Sequence, residues 1–141
     1  MKKIVIDTNI WVSVLSSKST FHHILTDLRK KRYALAISAE IMLEYEEIIK
    51  LKYGNSNPVA EIFLRLLSVL PNVHFIHPTY RWYLIDVDPD DNKYVDTAIA
   101  SGADYIVTED KHFKVLKNTA YPSVKVLSLE TFSELLKTDS L

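Results

Sequence analysis

Cysteine is absent from this 141-residue chain, which removes disulfides, thiolate metal sites and cysteine nucleophiles together. Any metal must then be held by oxygen or imidazole. Glycine occurs twice, at Gly54 and Gly102, and both positions read as breaks between elements. No serine stands between glycines at a strand-turn-helix elbow, so serine-histidine-acid catalysis gets no support. No segment approaches the ~20 uninterrupted apolar residues of a membrane span. The apolar run after Met1 is too short for a signal-peptide core, which makes the cytoplasm the expected location. Charge of one sign is missing as well: 17 basic against 18 acidic residues leave a net charge of −1 and no global signal for nucleic-acid binding. A polyanion would need a local basic rim, for which Arg29 to Arg32 and Lys111, Lys114 and Lys117 are candidates. Arg29 to Arg32 also suits the solvated last turn of a helix.

What is present is an ordinary globular composition, with 48% hydrophobic and 25% charged residues. The length suits one domain spanning residues 1–141. Lys3 to Ile6 is a short β-branched run that reads as a buried strand. Beyond a loop at Ser16 to Thr20, the spacing of Phe21, Ile24, Leu25 and Leu28 predicts a helix over 21–32. A strand over 33–37 follows, and then a helix capped by Ser38 and running to about Leu51. In that helix Glu44 falls on the apolar stripe of Ile41, Tyr45 and Ile48, where an acid is out of place unless it faces a site. Asn57 and Pro58 open a helix ending near Leu70, and Val73 to Ile76 is a third strand. His77 to Ile85 gives no clear signal. Asp88 to Asp91 opens a helix over 92–101, closed by Gly102. A strand over 105–107, a short helix over 111–117, a strand over 124–127 and a Ser128-capped helix to Lys137 complete the chain. Strands alternating with helices predict an α/β fold, a parallel sheet covered on both faces, with the ligand site beyond the carboxyl ends of the strands.

Acids stand where the apolar runs end. Asp7 follows four residues of strand, where a bare carboxylate is strongly penalised unless a cation or donor meets it. Capping the turn at Thr8-Asn9 is its bland alternative. Asp90 and Asp91 suit a first helical turn in any case, and Asp110 suits the cap of the helix at Lys111. Asp96 lies about 140° around the helix from Asp91, which puts it at a rim or on a neighbouring water network. Each acid alone has such an explanation; their conjunction points to a hard divalent metal and phosphodiester chemistry. The histidine pairs fit poorly as ligands, since His22 and His23 are adjacent on a helix and His74 and His77 flank one strand end.

Four stretches, Val5 to Asn9, Ser38 to Glu44, Asp88 to Ala100 and Gly102 to Asp110, together resemble the PIN-domain family, in particular the branch of toxin components of toxin-antitoxin systems. The resemblance runs in order over nearly the whole chain. It implies a three-layer α/β/α sandwich with a five-stranded parallel sheet and a Mg²⁺- or Mn²⁺-dependent endonuclease acting on single-stranded RNA. The family's catalytic and metal-binding quartet falls on Asp7, Glu44, Asp91 and Asp110, with Asn9, Asp96 and Thr108 in support. A protein antitoxin is the implied partner, and a homodimer is compatible with it. The family commonly has glycine before its last aspartate; Glu109 stands there, as a competing acid or a narrowing of the approach. Lys93 and Lys111, next to these acids in sequence, are the candidate substrate-binding cations.

Two other folds that open with a strand and an aspartate fit less well. A haloacid-dehalogenase-type phosphatase needs a second aspartate two residues after the first, where this chain has Asn9, and a receiver domain needs paired acids at the first strand end. The remaining alternative is a PIN-fold module that binds RNA or protein without cleaving. Tyr80-Arg-Trp-Tyr83 offers rings on which single-stranded bases stack, though such a run more often serves a core or an interface.

Overall fold

The computed structural model describes residues 1–141 and contains five strands, all parallel, in the order β3-β2-β1-β4-β5. In chain order the elements are β1 (Lys3–Ile6), α1 (Thr8–Val14), α2 (His23–Arg29), β2 (Ala34–Ile37), α3 (Ala39–Tyr53), α4 (Val59–Val69), β3 (Val73–Phe75), α5 (Asn92–Ser101), β4 (Tyr105–Val107), β5 (Val126–Leu127) and α6 (Leu129–Lys137). Single 3₁₀ turns or short 3₁₀ helices occupy Pro89–Asp91 and Lys111–Asn118. Helices cover both faces of the sheet, as the strand-helix alternation predicts. The three inner strands are fully apolar where they are buried, from Ile4 to Ile6, Leu35 to Ile37 and Ile106 to Val107. That composition belongs to a sheet with no solvent-facing side.

Most boundaries follow local chemistry. Ser38 Oγ accepts the amide of Ile41 at 3.2 Å and starts α3, and Ser128 Oγ accepts that of Thr131 at 3.1 Å and starts α6. Gly102 ends α5 in the left-handed region, φ 66°, where a β-carbon would be strained. The buried stripe of α3 is Ile41, Tyr45 and Ile49, so Ile48 turns out to be half-buried and Ile49 takes its expected place.

Two regions depart from expectation. Helix α1 fills a stretch for which the sequence predicts no element; it is held by Ile10, Trp11 and Val14, and Trp11 packs on Phe63 with ring centroids 4.8 Å apart. Ile76 still donates its amide to the Ile37 carbonyl at 2.7 Å, and residues 77–88 then run as an irregular strap. Side chains of α5 stand in for the missing ladder. Asn92 donates to the Ile85 carbonyl and accepts its amide, both at 2.9 Å, and Asp96 accepts the Trp82 amide at 3.1 Å. The strand order reverses between β1 and β4, so a crevice opens there beyond their carboxyl ends.

Candidate functional site

Register decides what meets at this crevice. Ile6 pairs with Val107, so the next residue of each strand, Asp7 and Thr108, become neighbours at the mouth of the sheet. Thr108 Oγ1 donates to Asp7 Oδ2 at 2.7 Å and accepts the Asp110 amide at 3.0 Å. Asp7 makes no N-cap bond to α1 with its side chain; its carboxylate is met by the Thr8 amide and the Thr108 hydroxyl. It is only 6% exposed and takes part in none of the ion pairs of the cleft. Burial, with Glu44 and Asp110 nearby, pushes its carboxyl above the ordinary range, while the Thr108 hydroxyl and the Thr8 amide oppose that rise.

Glu44 enters from α3, one turn beyond the buried Ile41. Its Oε1 accepts the Tyr94 hydroxyl at 2.6 Å and the Thr8 hydroxyl at 3.0 Å, and its Oε2 pairs with Lys93. Asp91 enters from the turn before α5. Burial pushes it up to about 6, with Asp110, Asp88 and Asp7 adding to the rise and a bond from His112 opposing it. Asp110 does cap the helix that follows, accepting the His112 amide at 2.9 Å, yet its side chain still faces the crevice. Asp7, Glu44, Asp91 and Asp110 therefore line a single cleft of about 440 Å³, together with Asn9, Asp88, Asp90 and Lys93.

The supporting residues divide. Thr108 orients Asp7, and Asn9 is exposed on the wall of the cleft. Asp96 lies instead in the adjoining cavity of about 310 Å³ and fastens the strap to α5. Lys93 does not stand free at the rim. Its side chain is 8% exposed and its Nζ is held by Glu44 and, at 2.9 Å, by Asp90, because a buried ammonium needs anionic partners. Lys111 is exposed just outside, beside Lys114 and Lys117. Of the Arg29 to Arg32 run, Arg32 is tied into Asp27 and Asp139 on the far side of the molecule. Glu109 points out of the cleft and accepts the first amide of α6, that of Leu129, at 2.7 Å.

Three residues that sequence reasoning passes over prove central. Thr8 and Tyr94 hold Glu44, and their signal was proximity to Asp7 and Asp91 in sequence. His112 stands between Asp91 and Asp110, with Nδ1 3.2 and 3.3 Å from their oxygens. Its place two residues after Asp110 was the available clue.

The cleft can hold a divalent cation on chemical grounds. Its donors are carboxylate oxygens with one imidazole, the set that hard and borderline dications take. Its innermost carboxylate is buried with no cation beside it. Asp7 with Asp91 and Asp110 would hold the ion, and Glu44 would join them on release from Lys93.

A family model described as "PIN domain" matches residues 3–112. Solved structures of similar fold include VapC20 of Mycobacterium tuberculosis, a sarcin-ricin loop cleaving toxin. It is 15% identical, with a TM-score of 0.57 over 79% of this chain and 92% of that one. VapBC2 from Rickettsia felis, bound to a DNA fragment from its promoter, is 16% identical with a TM-score of 0.61, covering 89% and 98% of the two chains. The PIN domain endonuclease Utp24 is 21% identical with a TM-score of 0.52, covering 89% and 84%. At these identities the likeness is one of fold. None of the curated proteins matches the chain.

Proposed function

Because the chain belongs to the PIN-domain family, we propose that its acidic cleft is the active site of a Mg²⁺- or Mn²⁺-dependent endoribonuclease, with residues 1–141 forming one catalytic domain. The observation that carries this reading is Asp7: a buried carboxylate, crowded by other acids and lacking a counter-cation. Bound there, Mg²⁺ or Mn²⁺ supplies Lewis acidity for hydrolysis of a phosphodiester. The protein's own part is to position and exclude. Thr108 fixes Asp7, Thr8 and Tyr94 fix Glu44, and Lys93 keeps the excess of negative charge in check until substrate and ion arrive. Lys111 is the exposed cation nearest Asp110 in sequence for a single-stranded RNA phosphate.

The toxin role follows the same fold, since VapC20 is a toxin of similar architecture. A protein antitoxin has a surface available. Met42, Leu43, Leu64, Phe75 and Ile76 form an apolar groove beside the cleft, and Leu43 lines both. A partner seated on that groove would cover the acids; the groove also suits a homodimer. No helix is long and apolar enough to cross a membrane, which accords with work in the cytoplasm.

The Lys93–Glu44 pair favours a second reading, a PIN-fold module that binds RNA or protein without cleaving, because it neutralises one of the four acids from within. A cleavage assay on a mixed structured RNA pool, titrated with Mg²⁺ or Mn²⁺ beside an Asp7→Asn control, separates the two. Metal-dependent cleavage absent from the control supports the nuclease. Binding with no cleavage at any metal concentration supports the module.

A further inference from the structure

The run Tyr80-Arg-Trp-Tyr83 lies on the strap, at the edge of the polar cavity of about 310 Å³ that adjoins the acidic cleft. Cavity and cleft share Glu40, Asp90 and Lys93, but none of Asp7, Glu44, Asp91 and Asp110 lines the cavity. Tyr80 lines it and is 64% exposed, so its ring stands at the entrance. That ring packs on Trp82 with centroids 4.6 Å apart, and Trp82 meets Tyr121 edge-on at 6.1 Å, which makes a short row of surface aromatics. Behind the entrance the wall is rich in acceptors. Lys93 is engaged by Glu44 and Asp90, and Arg81 reaches Glu40 at 3.8 Å, so Asp96 alone of the cavity's three carboxylates forms no ion pair. Asp96 is 6% exposed; one of its oxygens holds the Trp82 amide and the other has no bond within the protein. The next residue, Thr97, is fully buried on the same wall, and its hydroxyl has no partner.

We infer that this cavity is a base-binding subsite for RNA, and that the base it takes is guanine. The inference rests on the endoribonuclease reading for its class of ligand, since the cavity opens beside the cleft where a phosphodiester would be held. Three carboxylates repel a phosphate, so the part of a nucleotide that can enter is the uncharged base. A base seated against Tyr80 gains stacking, as single-stranded bases do on aromatic side chains. Its edge must then bring donors to Asp96. Guanine alone among the four RNA bases sets two N–H donors, at N1 and N2, side by side on its Watson–Crick edge, the arrangement that a carboxylate accepts. An ionised carboxylate has about four acceptor positions, so the Trp82 amide leaves room for both. Adenine and cytosine set their amine beside a ring-nitrogen acceptor, which a carboxylate repels, and uracil flanks its one N–H with two carbonyls.

For the test, an all-uridine RNA hexamer and the same hexamer with one guanosine are titrated into the full chain with chelator present, so that binding alone is read. The chain's other tryptophan, Trp11, is fully buried in the core, so quenching of fluorescence reports Trp82, whose ring packs on Tyr80. The guanosine hexamer is expected to bind about tenfold or more tightly, and inosine in its place, which lacks the N2 amine, to lose most of that gain. Asp96→Asn keeps an oxygen for the Trp82 amide and turns a donor toward the base, so the preference should fall to within about twofold. Tyr80→Ala should weaken both hexamers alike, by about tenfold. Equal affinity for the two hexamers in the wild type, or a preference that survives in Asp96→Asn, overturns the proposal. Quenching by an arginine-rich peptide but by neither hexamer overturns it as well, and assigns the cavity to a protein partner. Guanosine-selective binding by a protein that cleaves no RNA with Mg²⁺ or Mn²⁺ keeps this subsite and rejects the nuclease. Cleavage without guanosine selectivity does the reverse.

Discussion

Two aspartates of this chain are equally buried, and they live in opposite surroundings. Asp27, on α2, is 6% exposed and sits between His23 at 3.0 Å and Arg32 at 3.2 Å. His23 passes on to the Ser133 hydroxyl at 2.7 Å, and Arg32 to the Leu136 carbonyl and Asp139. Every charge there finds its complement within the chain, and the network ties α2 to α6. Asp7, also 6% exposed, has a hydroxyl, a backbone amide and other acids, but no cation. A carboxylate compensated by its own protein serves the fold, and one left uncompensated among its own kind is open to a proton or a cation from outside. The serine-histidine-aspartate order at Ser133 is therefore read as a fastening, consistent with a serine that is 3% exposed in mid-helix.

Exchange of the two aspartates should separate these roles most widely. Asp7→Asn is expected to lower RNA cleavage by about a hundredfold or more, given that even outer-shell partners of metal ligands carry 10–100-fold. Its melting temperature without metal should not fall, because a repelling charge has been removed. Asp27→Asn should do the opposite, losing about 2 kcal/mol in urea unfolding as Arg32 and His23 lose their partner, while cleavage per folded molecule persists. Equal loss of activity in both variants would erase the distinction.

Mg²⁺ should discriminate them next. At about 100 times its dissociation constant an ion that binds only the folded state adds about 2.7 kcal/mol. That gain is expected in the wild type and in Asp27→Asn, and is expected to be absent from Asp7→Asn. Isothermal calorimetry and thermal melts with and without chelator measure it.

A smaller effect should appear with pH in the metal-free chain. Asp91 is raised to about 6 by burial, and Asp7 is raised by burial as well. A carboxyl that is raised in the folded state holds its proton there after the unfolded chain has released one. Stability attributable to these groups is therefore greatest below about pH 4 and declines as pH climbs to about 6. Thermal melts across that window should show a shallower decline for Asp91→Asn than for the wild type. An identical slope would mean that the Asp91 carboxyl is not raised in the folded chain.

This division of labour was only partly legible in the sequence. Strand ends and helix caps were, because Ser38, Ser128, Pro58 and Gly102 act locally and announce themselves. The four acids were legible as a set because they follow apolar runs. Helix α1 was hidden: Ile10-Trp-Val-Ser-Val is β-branched and aromatic, and its helicity comes from packing on α3 and α4 rather than from propensity. The direction of Lys93 was hidden too, since sequence places it beside Asp91 while the turn of α5 delivers it to Glu44. His112 and Tyr94 depend on the same three-dimensional juxtaposition, which only the strand order β2-β1-β4 creates.

Glu109 supplies the finest test, because it is a third way to settle an acid. Expected from its place beside Asp110 either to compete in the cleft or to narrow its approach, it turns away and accepts the Leu129 amide at the start of α6. There it meets an unpaired donor and the positive end of the helix at once. Glu109→Gln keeps an acceptor and loses the charge, so stability should fall by no more than about 1 kcal/mol. Glu109→Ala loses both and should cost about 1 kcal/mol or slightly more. Neither should change Mg²⁺ affinity beyond about twofold, since a charge neutralised by a helix terminus projects little into a neighbouring cleft. A marked rise in Mg²⁺ affinity for Glu109→Gln would instead show that the acid competes for the ion. A marked fall would make it a fifth carboxylate of the site, and the line between acids that serve the fold and acids that serve the cleft would have to be redrawn at this residue.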